Sequence, residues 1–396
     1  MLKTDPTFTG KEEKELDLLS VVGWFAAAWW VGATLVWLAS VRGAPPLSGR
    51  PVSSAGPAPT VSVVIAARNE QARVRDTVRR FLAQRGVDLE LILVDDRSTD
   101  ETSEILYELS RSEPRLRVIR VDSLPDDWLG KPHACELGAA EARGDWLLFA
   151  DADSWPDQDL VSHAVSEAVA ERAAHLCVLP DEEQVSAWGR GAFLTFYLCA
   201  LPLLALVNRD RIRAPVGVGA FNLVLATAYR AIGGHRALRY EVIDDAKLGL
   251  LLQRAGYRTR ARAGHGMLQV DWAGGLADAV LALEKNLYAA FRFRSLFALP
   301  AALIPLNLWI VAMTGPLHGT TAGWAATASL FTVMLPAWFV ARKIGAGVLE
   351  AFLTCLCMPT LPIALLRSAW LTSRRGGVLW RGTLYPLERL RRGLVR

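Results

Sequence analysis

Val61-Ser-Val-Val-Ile65 runs straight into Ala66-Ala-Arg-Asn-Glu70, and Leu89–Val94 runs straight into Asp95-Asp-Arg-Ser-Thr-Asp100. Each is a short apolar strand that ends in a polar cluster. Between them, Arg73–Gln84 carries its apolar residues at helical spacing. The pattern repeats: a helical stretch Glu101–Leu109, a strand Leu116–Val121, and a buried strand Trp146–Ala150 that stops at Asp151-Ala-Asp153. Strands alternating with helices predict an α/β domain with a largely parallel sheet. That domain is expected over residues 61–293. Ligands of such sheets bind at the carboxyl ends of the strands, which is where the polar clusters fall.

Outward from this domain the chain becomes apolar. Residues 18–41 hold Trp24, Trp29, Trp30 and Trp37 and are long enough to cross about 30 Å of hydrocarbon. The run is too long, and starts too late, for a cleavable signal peptide. The flank before it is acidic on balance and the flank after it carries Arg42 and Arg50, which puts the following domain in the cytosol. Residues 1–17 read as an N-terminal tail and 42–60, rich in Pro, Ser and Gly, as a linker. Beyond the domain, residues 294–372 contain three apolar stretches, Leu296–Leu317, Ala322–Val340 and Gly345–Leu371. The first two read as a transmembrane hairpin. The third holds Glu350 and the Pro359–Pro362 break and reads as re-entrant or interfacial. Residues 373–396, with seven arginines, read as a basic cytosolic tail facing lipid or simply solvated. Gly191–Val207 is apolar but short and contains Pro202, so it is expected as a core or membrane-surface helix. The expected location is a multi-pass cytoplasmic membrane protein with its N-terminus outside.

Composition agrees with a globular part joined to apolar segments: 52% hydrophobic and 21% charged residues. A net charge of +4, without a basic tract interleaved with aromatics, argues against nucleic acid as a partner. None of the five cysteines shows zinc-site spacing, so all are expected to be reduced and structural.

Four stretches carry chemistry, the first being Ala66-Ala-Arg-Asn-Glu70 directly after a predicted strand. Asp95 and Asp96 could accept a base N–H or ribose hydroxyls, although Ser98-Thr-Asp-Glu101 is also an acceptable helix cap. Asp151 and Asp153, one residue apart at a strand end, suit a hard divalent cation facing a diphosphate. Lys131, in Trp128-Leu-Gly-Lys-Pro-His133, could add a cation for those phosphates. Asp244 and Asp245, in Val242-Ile-Asp-Asp-Ala-Lys-Leu248, suit proton abstraction, or equally a helix N-terminus that favours acids.

Taken in order, Ala-Arg-Asn-Glu, Val-Asp-Asp-Arg-Ser-Thr-Asp, Gly-Lys, Asp-Ala-Asp and Asp-Asp resemble the family 2 inverting glycosyltransferases of the GT-A fold, from Val61 to Tyr257. The Trp-Leu-Gly-Lys-Pro-His-Ala segment resembles the hopanoid- and carotenoid-associated membrane subgroup. The resemblance implies a Rossmann-like, mostly parallel catalytic domain with N- and C-terminal transmembrane segments. It implies that Ala67, Arg68 and Glu70 line a nucleotide pocket, with Asp96 on the base and Asp95 beside it. Lys131 would approach the base or phosphates, Asp151 the ribose, donor sugar or metal, and Asp153 the metal, Mg2+ or Mn2+. Asp245 would be the catalytic base with Asp244 as its neighbour, and Gly217–Asn222 with Gly233-Gly234 would line the transferred sugar. The implied reaction moves one sugar from a nucleotide-sugar, expected to be a UDP-sugar, to a lipid acceptor. A processive polysaccharide synthase, a polyprenyl-phosphate glycosyltransferase and a non-enzymatic nucleotide-sugar-binding protein are the alternatives. Against a processive synthase, the Gln/Arg-x-x-Arg-Trp element is missing and the region reads Leu283-Glu-Lys-Asn-Leu-Tyr288. Lys285 could stand in for phosphate binding there or sit on an interfacial helix.

Overall fold

The computed structural model describes residues 9–48, 57–182, 186–270 and 275–395, with side chains from residue 18 onward. Its strands in chain order are β1 (Thr60–Ala67), β2 (Asp88–Asp96), β3 (Leu116–Val121), β4 (Trp146–Asp151), β5 (Ser154–Pro156), β6 (His175–Leu179), β7 (Asp181–Glu182), β8 (Asn222–Leu225), β9 (Thr259–Ala263), β10 (Leu268–Val270), β11 (Gly377–Trp380) and β12 (Thr383–Pro386). Seven of them form the central sheet, in the order β3-β2-β1-β4-β8-β6-β9. The first four in that order are parallel; β8 runs antiparallel to both neighbours, and β6 pairs parallel with β9. The sheet is thus mostly parallel, and the strands and helices expected from Val61 to Ala150 form within one to three residues of their expected bounds.

The apolar runs reflect burial on both faces. Val61, Val63 and Ile65 of β1 pack with Leu89, Leu91 and Leu93 on one side of the sheet. Val64, Ile92, Leu147 and Phe149 pack on the other. With period-2 side chains and both faces covered, a strand becomes a nearly continuous hydrophobic run. The polar clusters then follow at β1, β2 and β4, where cover ends.

The N-terminal helix spans Thr9–Ser40, so the expected tail boundary at residue 17 falls inside a helix, and residues 1–8 lie outside the described residues. Of the expected linker, 49–56 lie outside the described residues. Its first part is docked: Leu47 N–H donates to Ala263 O and Ala263 N–H to Pro45 O, which adds the segment to the edge of β9.

Among the described residues, four helices are long and apolar enough to cross a membrane: Leu18–Ser40, Ala187–Asn208, Ser295–His318 and Thr321–Ile344. A fifth unit, Val348–Cys357 with Thr360–Arg375, is bent by 40° at Met358–Pro359, where the sequence marks a break. Helix Ala187–Asn208 is tied to the α/β domain at both ends. It follows β7 closely, and at its other end the Asn208 amide donates to Gly43 O and Ala261 O.

The last segment departs from expectation. Instead of a basic tail, residues 377–393 form the β11–β12 hairpin and a helix, Leu387–Gly393, packed on the catalytic domain. Val378, Tyr385 and Leu390 are buried with Leu129, Val242 and Tyr288. The arginines that suggested a lipid-facing tail bond to protein: Arg375 to Glu284, Arg389 to Asp126 O and Arg391 to Phe293 O. Arginine count dominated that reading, and it hid three apolar anchors.

Candidate active site

The strand-end clusters, the Asp244–Asp245 pair and the C-terminal hairpin meet around one cavity of about 450 Å³. Ala67, Arg68, Glu70, Asp96, Lys131, Asp151, Asp153, Asp244 and Asp245 all line it. Asp95 and Asn222 do not. Asp95 turns under the loop after β2, where it accepts from Ser98 N–H at 3.1 Å and from the Ser103 hydroxyl. Asp100 caps the next helix through Thr102 N–H. Asp100 thus serves the helix start and Asp95 braces the turn before it, while Asp96 faces the pocket, its carboxylate gripped by Arg97 at 2.8 and 3.0 Å.

Asn222 starts β8 and is buried behind Asp245. Its amide donates to the Asp245 backbone carbonyl at 3.2 Å, and its Oδ1 takes the proton of His175 Nε2 at 2.6 Å. Burial pulls the His175 pKa down to about 4, so the ring is neutral and its Nδ1 accepts from Thr259 at 3.2 Å. This chain fixes the start of helix Asp244–Arg254 from behind. Gly233 and Gly234 also lie away from the cavity. They adopt left-handed φ of 83° and 57° at the start of a short 3-10 turn, with Gly234 against the Tyr229 ring.

Asp244 and Asp245 occupy the first turn of that helix, as the helix-N-terminus reading of this pair expects, and both also line the cavity. Their environments differ. Asp244 is buried, and Lys131 and His235 (Nε2 to Oδ2, 3.6 Å) outweigh that burial and hold its pKa below the usual carboxylate range. For Asp245, burial and the neighbouring Asp244 charge push the pKa up to about 6. Two adjacent carboxylates are thereby driven apart, one locked as an anion and the other poised to take a proton.

Across the cavity, Lys131 Nζ contacts Asp151 Oδ1 at 2.5 Å. Burial opposes its charge, but Asp151, Asp244 and Asp245 overcome this and keep the ammonium firmly protonated. Asp153 lies beyond β4 on a loop pinned by Thr77, whose hydroxyl donates to Ala152 O at 2.6 Å. Burial, then Asp151 and Glu70, raise the Asp153 pKa to about 7. Carboxylates crowded with too few cations form a donor set that fits a hard divalent ion, all oxygen and open to the cavity. A second cluster, Cys135, His235 and Asp244, brings its ligand atoms within 4.8 Å of one another but is fully buried. Burial drives the Cys135 thiol pKa far up, and His235 Nδ1 is engaged by the Tyr229 hydroxyl at 2.9 Å, so this set suits packing better than metal.

The loop at Gly217–Gly219 closes tightly over these groups. A Cβ at Gly217 would sit 2.0 Å from Asp245 O, and one at Gly219 2.5 Å from Asp151 Oδ2. Only glycine lets this backbone run so close to both Asp245 and Asp151. The opposite wall is apolar, with Leu179, Phe193, Phe196, Tyr197 and Leu283.

Sequence reasoning overlooked the C-terminal residues of the cavity. Trp380, Arg381 and Tyr385 line it. Arg381 Nη2 donates to Glu70 Oε1 at 2.5 Å, Arg68 Nη1 to Thr383 Oγ1 at 3.4 Å, and Gly130 N–H to the Tyr385 hydroxyl at 3.2 Å. Lys285 lies 4.3 Å over the Trp380 ring. The available signal was the apolar alternation Val378-Leu-Trp380 before a glycine turn.

Comparison with known proteins agrees with this geometry. The family described as "Glycosyl transferase family 2" matches residues 62–233. A 4,4'-diaponeurosporenoate glycosyltransferase of Staphylococcus haemolyticus (strain JCSC1435) is 33% identical over 111 residues, 28% of each chain. That of Staphylococcus aureus (strain bovine RF122 / ET3-1) is 25% identical over 193 residues, 48% of this chain and 50% of the other. The chain thus spans half or less of the length of these relatives. Among solved structures, a mannosyltransferase from Pyrobaculum calidifontis in complex with GDP-Man and Mn2+ superposes with a TM-score of 0.58. It is 17% identical, and the match covers 90% of this chain and 99% of that one. Strand order and this superposition show the GT-A fold, within which residues 62–233 match the glycosyl transferase family 2 model.

Proposed function

We propose that this protein transfers one sugar from a nucleotide-sugar to a lipid acceptor at the membrane surface, with inversion. One observation carries the reading: Asp245, with its raised pKa, faces the Lys131–Asp151–Asp153 group across a single cavity. Ala67, Arg68, Glu70 and Asp96 hold the nucleoside, a role their position at the ends of β1 and β2 supports. Lys131 lies beside the departing diphosphate, where charge develops as the sugar leaves. A divalent cation held by Asp151 and Asp153, Mn2+ or Mg2+, would offset that same charge; the Mn2+ in the Pyrobaculum complex supports it. Asp245 takes the proton of the acceptor hydroxyl, whose oxygen bonds to the anomeric carbon as the bond to the diphosphate oxygen breaks. Attack from the face opposite the leaving group inverts that carbon. Asp244 and Asn222 position the base without touching the reacting atoms.

A lipid acceptor is supported by the apolar wall of Phe193, Phe196 and Tyr197, and by relatives named for diaponeurosporenoate. The contact between Arg381 and Glu70 supports a topology with the C-terminal hairpin on the same side of the membrane as the α/β domain. The chain between Ser295 and Gly377 therefore crosses an even number of times. Two spans and a re-entrant bent pair satisfy this, with domain and C-terminus in the cytosol. Incubating the purified protein with labelled UDP-sugars or GDP-mannose and membrane lipid tests the reading. The expected product is a single organic-soluble glycolipid, and a purely water-soluble product excludes the lipid acceptor.

A further inference from the structure

The β11–β12 hairpin is closed by two residues, Arg381 and Gly382, since Trp380 pairs with Thr383. Both have positive φ, 47° and 78°, as a two-residue hairpin turn of this hand requires. Gly382 suits that conformation. Arg381 does not, because a residue with a Cβ is disfavoured there and Asn, Asp or Gly would hold the turn more easily. An arginine kept in a disfavoured backbone state points to a use for its side chain. The guanidinium is half-exposed and directed into the cavity, resting on Glu70 and on the carbonyl of Arg68.

The other cations of the cavity narrow that use. Lys131 is paired with Asp151, and Arg68 is turned to the Thr383 hydroxyl of the hairpin. Lys285, held over Trp380 of the same hairpin, has no carboxylate within ion-pair distance among the described residues. Burial, and then the like charge of Lys131, press its pKa down against the opposing pull of Asp151, Asp244 and Asp245. Arg381 and Lys285 thus reach one cavity from two parts of the chain, the hairpin tip beside the end of β1 and the segment 284–286.

We propose that the C-terminal hairpin is part of the donor site: Arg381 at its tip and Lys285 against Trp380 bind the diphosphate of a nucleoside diphosphate sugar. Arg381 exchanges its contact with Glu70 for the phosphate oxygens, and Lys285 meets them from the side of Trp380. This rests on the nucleotide-sugar reading above and adds to it a pair of residues from outside the matched family segment, which ends at residue 233.

The test is equilibrium binding to the full chain in detergent. UDP and GDP are the probes, and uridine and guanosine the phosphate-free controls. Arg381→Asn keeps a turn-compatible residue, so the hairpin stays folded while the cation is lost; Lys285→Gln removes the second. Each variant is expected to bind the diphosphate about tenfold or more weakly, as loss of a charged hydrogen bond implies, with nucleoside affinity unchanged. Diphosphate affinities within twofold of the parent in both variants overturn the proposal. So does an equal loss for nucleoside and diphosphate, which would mean that the hairpin only shapes the pocket. A parent protein that binds neither diphosphate sinks the nucleotide-sugar reading and this one with it.

Discussion

Replacing Asp245 with asparagine separates stability from chemistry in opposite directions. In the fold, burial and the Asp244 charge raise the Asp245 pKa from 3.8 to about 6. Its contribution to stability is fully present below 3.8 and is lost as the pH rises through about 6. Above that, the ionised carboxylate works against folding by about 3 kcal/mol, from roughly two pH units at 1.36 kcal/mol each. An amide of the same shape still accepts from Ala246 N–H, which now meets Oδ1 at 2.7 Å, and carries no charge. Asp245→Asn should therefore raise the unfolding midpoint at pH 8, with a smaller gain at pH 5. Its turnover should fall by about two to four orders of magnitude, the usual worth of a general base, while nucleotide binding persists. Asp244→Asn has the opposite sign. That carboxylate is stabilised as an anion by Lys131 and His235, so its loss should lower the midpoint. Thermal unfolding at two pH values, with turnover of a labelled nucleotide-sugar, reads all of this. Near-normal turnover in a folded Asp245→Asn protein, or a lower midpoint at pH 8, would refute the reasoning.

Three further outcomes follow from the same cavity. Activity should vanish in EDTA and return with Mn2+ or Mg2+, and Asp153→Ala should weaken metal-dependent nucleotide binding; full turnover in chelator removes the metal from the account. Because Asp245 must be ionised to act, turnover should be level above about pH 6 and fall about tenfold per unit below it. A pH–rate profile taken alongside nucleotide binding checks that limb. Gly219→Ala puts a Cβ 2.5 Å from Asp151 Oδ2 and 3.2 Å from Lys131 Nζ, so turnover should drop on the order of 10²-fold with the fold intact. Unchanged kinetics would mean that Asp151 can move freely.

Much of the donor half was legible because β1, β2 and β4 are local units. Their apolar runs and terminal acids, such as Leu147–Ala150 before Asp151, follow from burial on both faces. What lay hidden depends on contacts across long stretches of chain. Asp95 and Asp96 are neighbours with the same side chain, and only the turn after β2 decides that one braces that turn and the other faces the cavity. Asn222 stood in a plausible sugar loop, yet β8 runs antiparallel beside β4 and turns the amide back toward His175. The order of Asp244 and Asp245 could not be read from the pair itself, since Lys131 and His235, which distinguish them, come from other elements. Arg381 was masked by six other arginines in an apparent tail, and its partner Glu70 is 311 positions away.

The account's central claim is one sugar passed from nucleotide to lipid through Asp245. Its most direct measurement is the product of the purified protein given labelled nucleotide-sugar, Mn2+ and membrane lipid, with Asp245→Asn run beside it. The account predicts one organic-soluble glycolipid carrying a single sugar of inverted anomeric configuration, formed by the parent and all but absent from the variant. A water-soluble polymer, a product of retained configuration, or equal product from both proteins would contradict it.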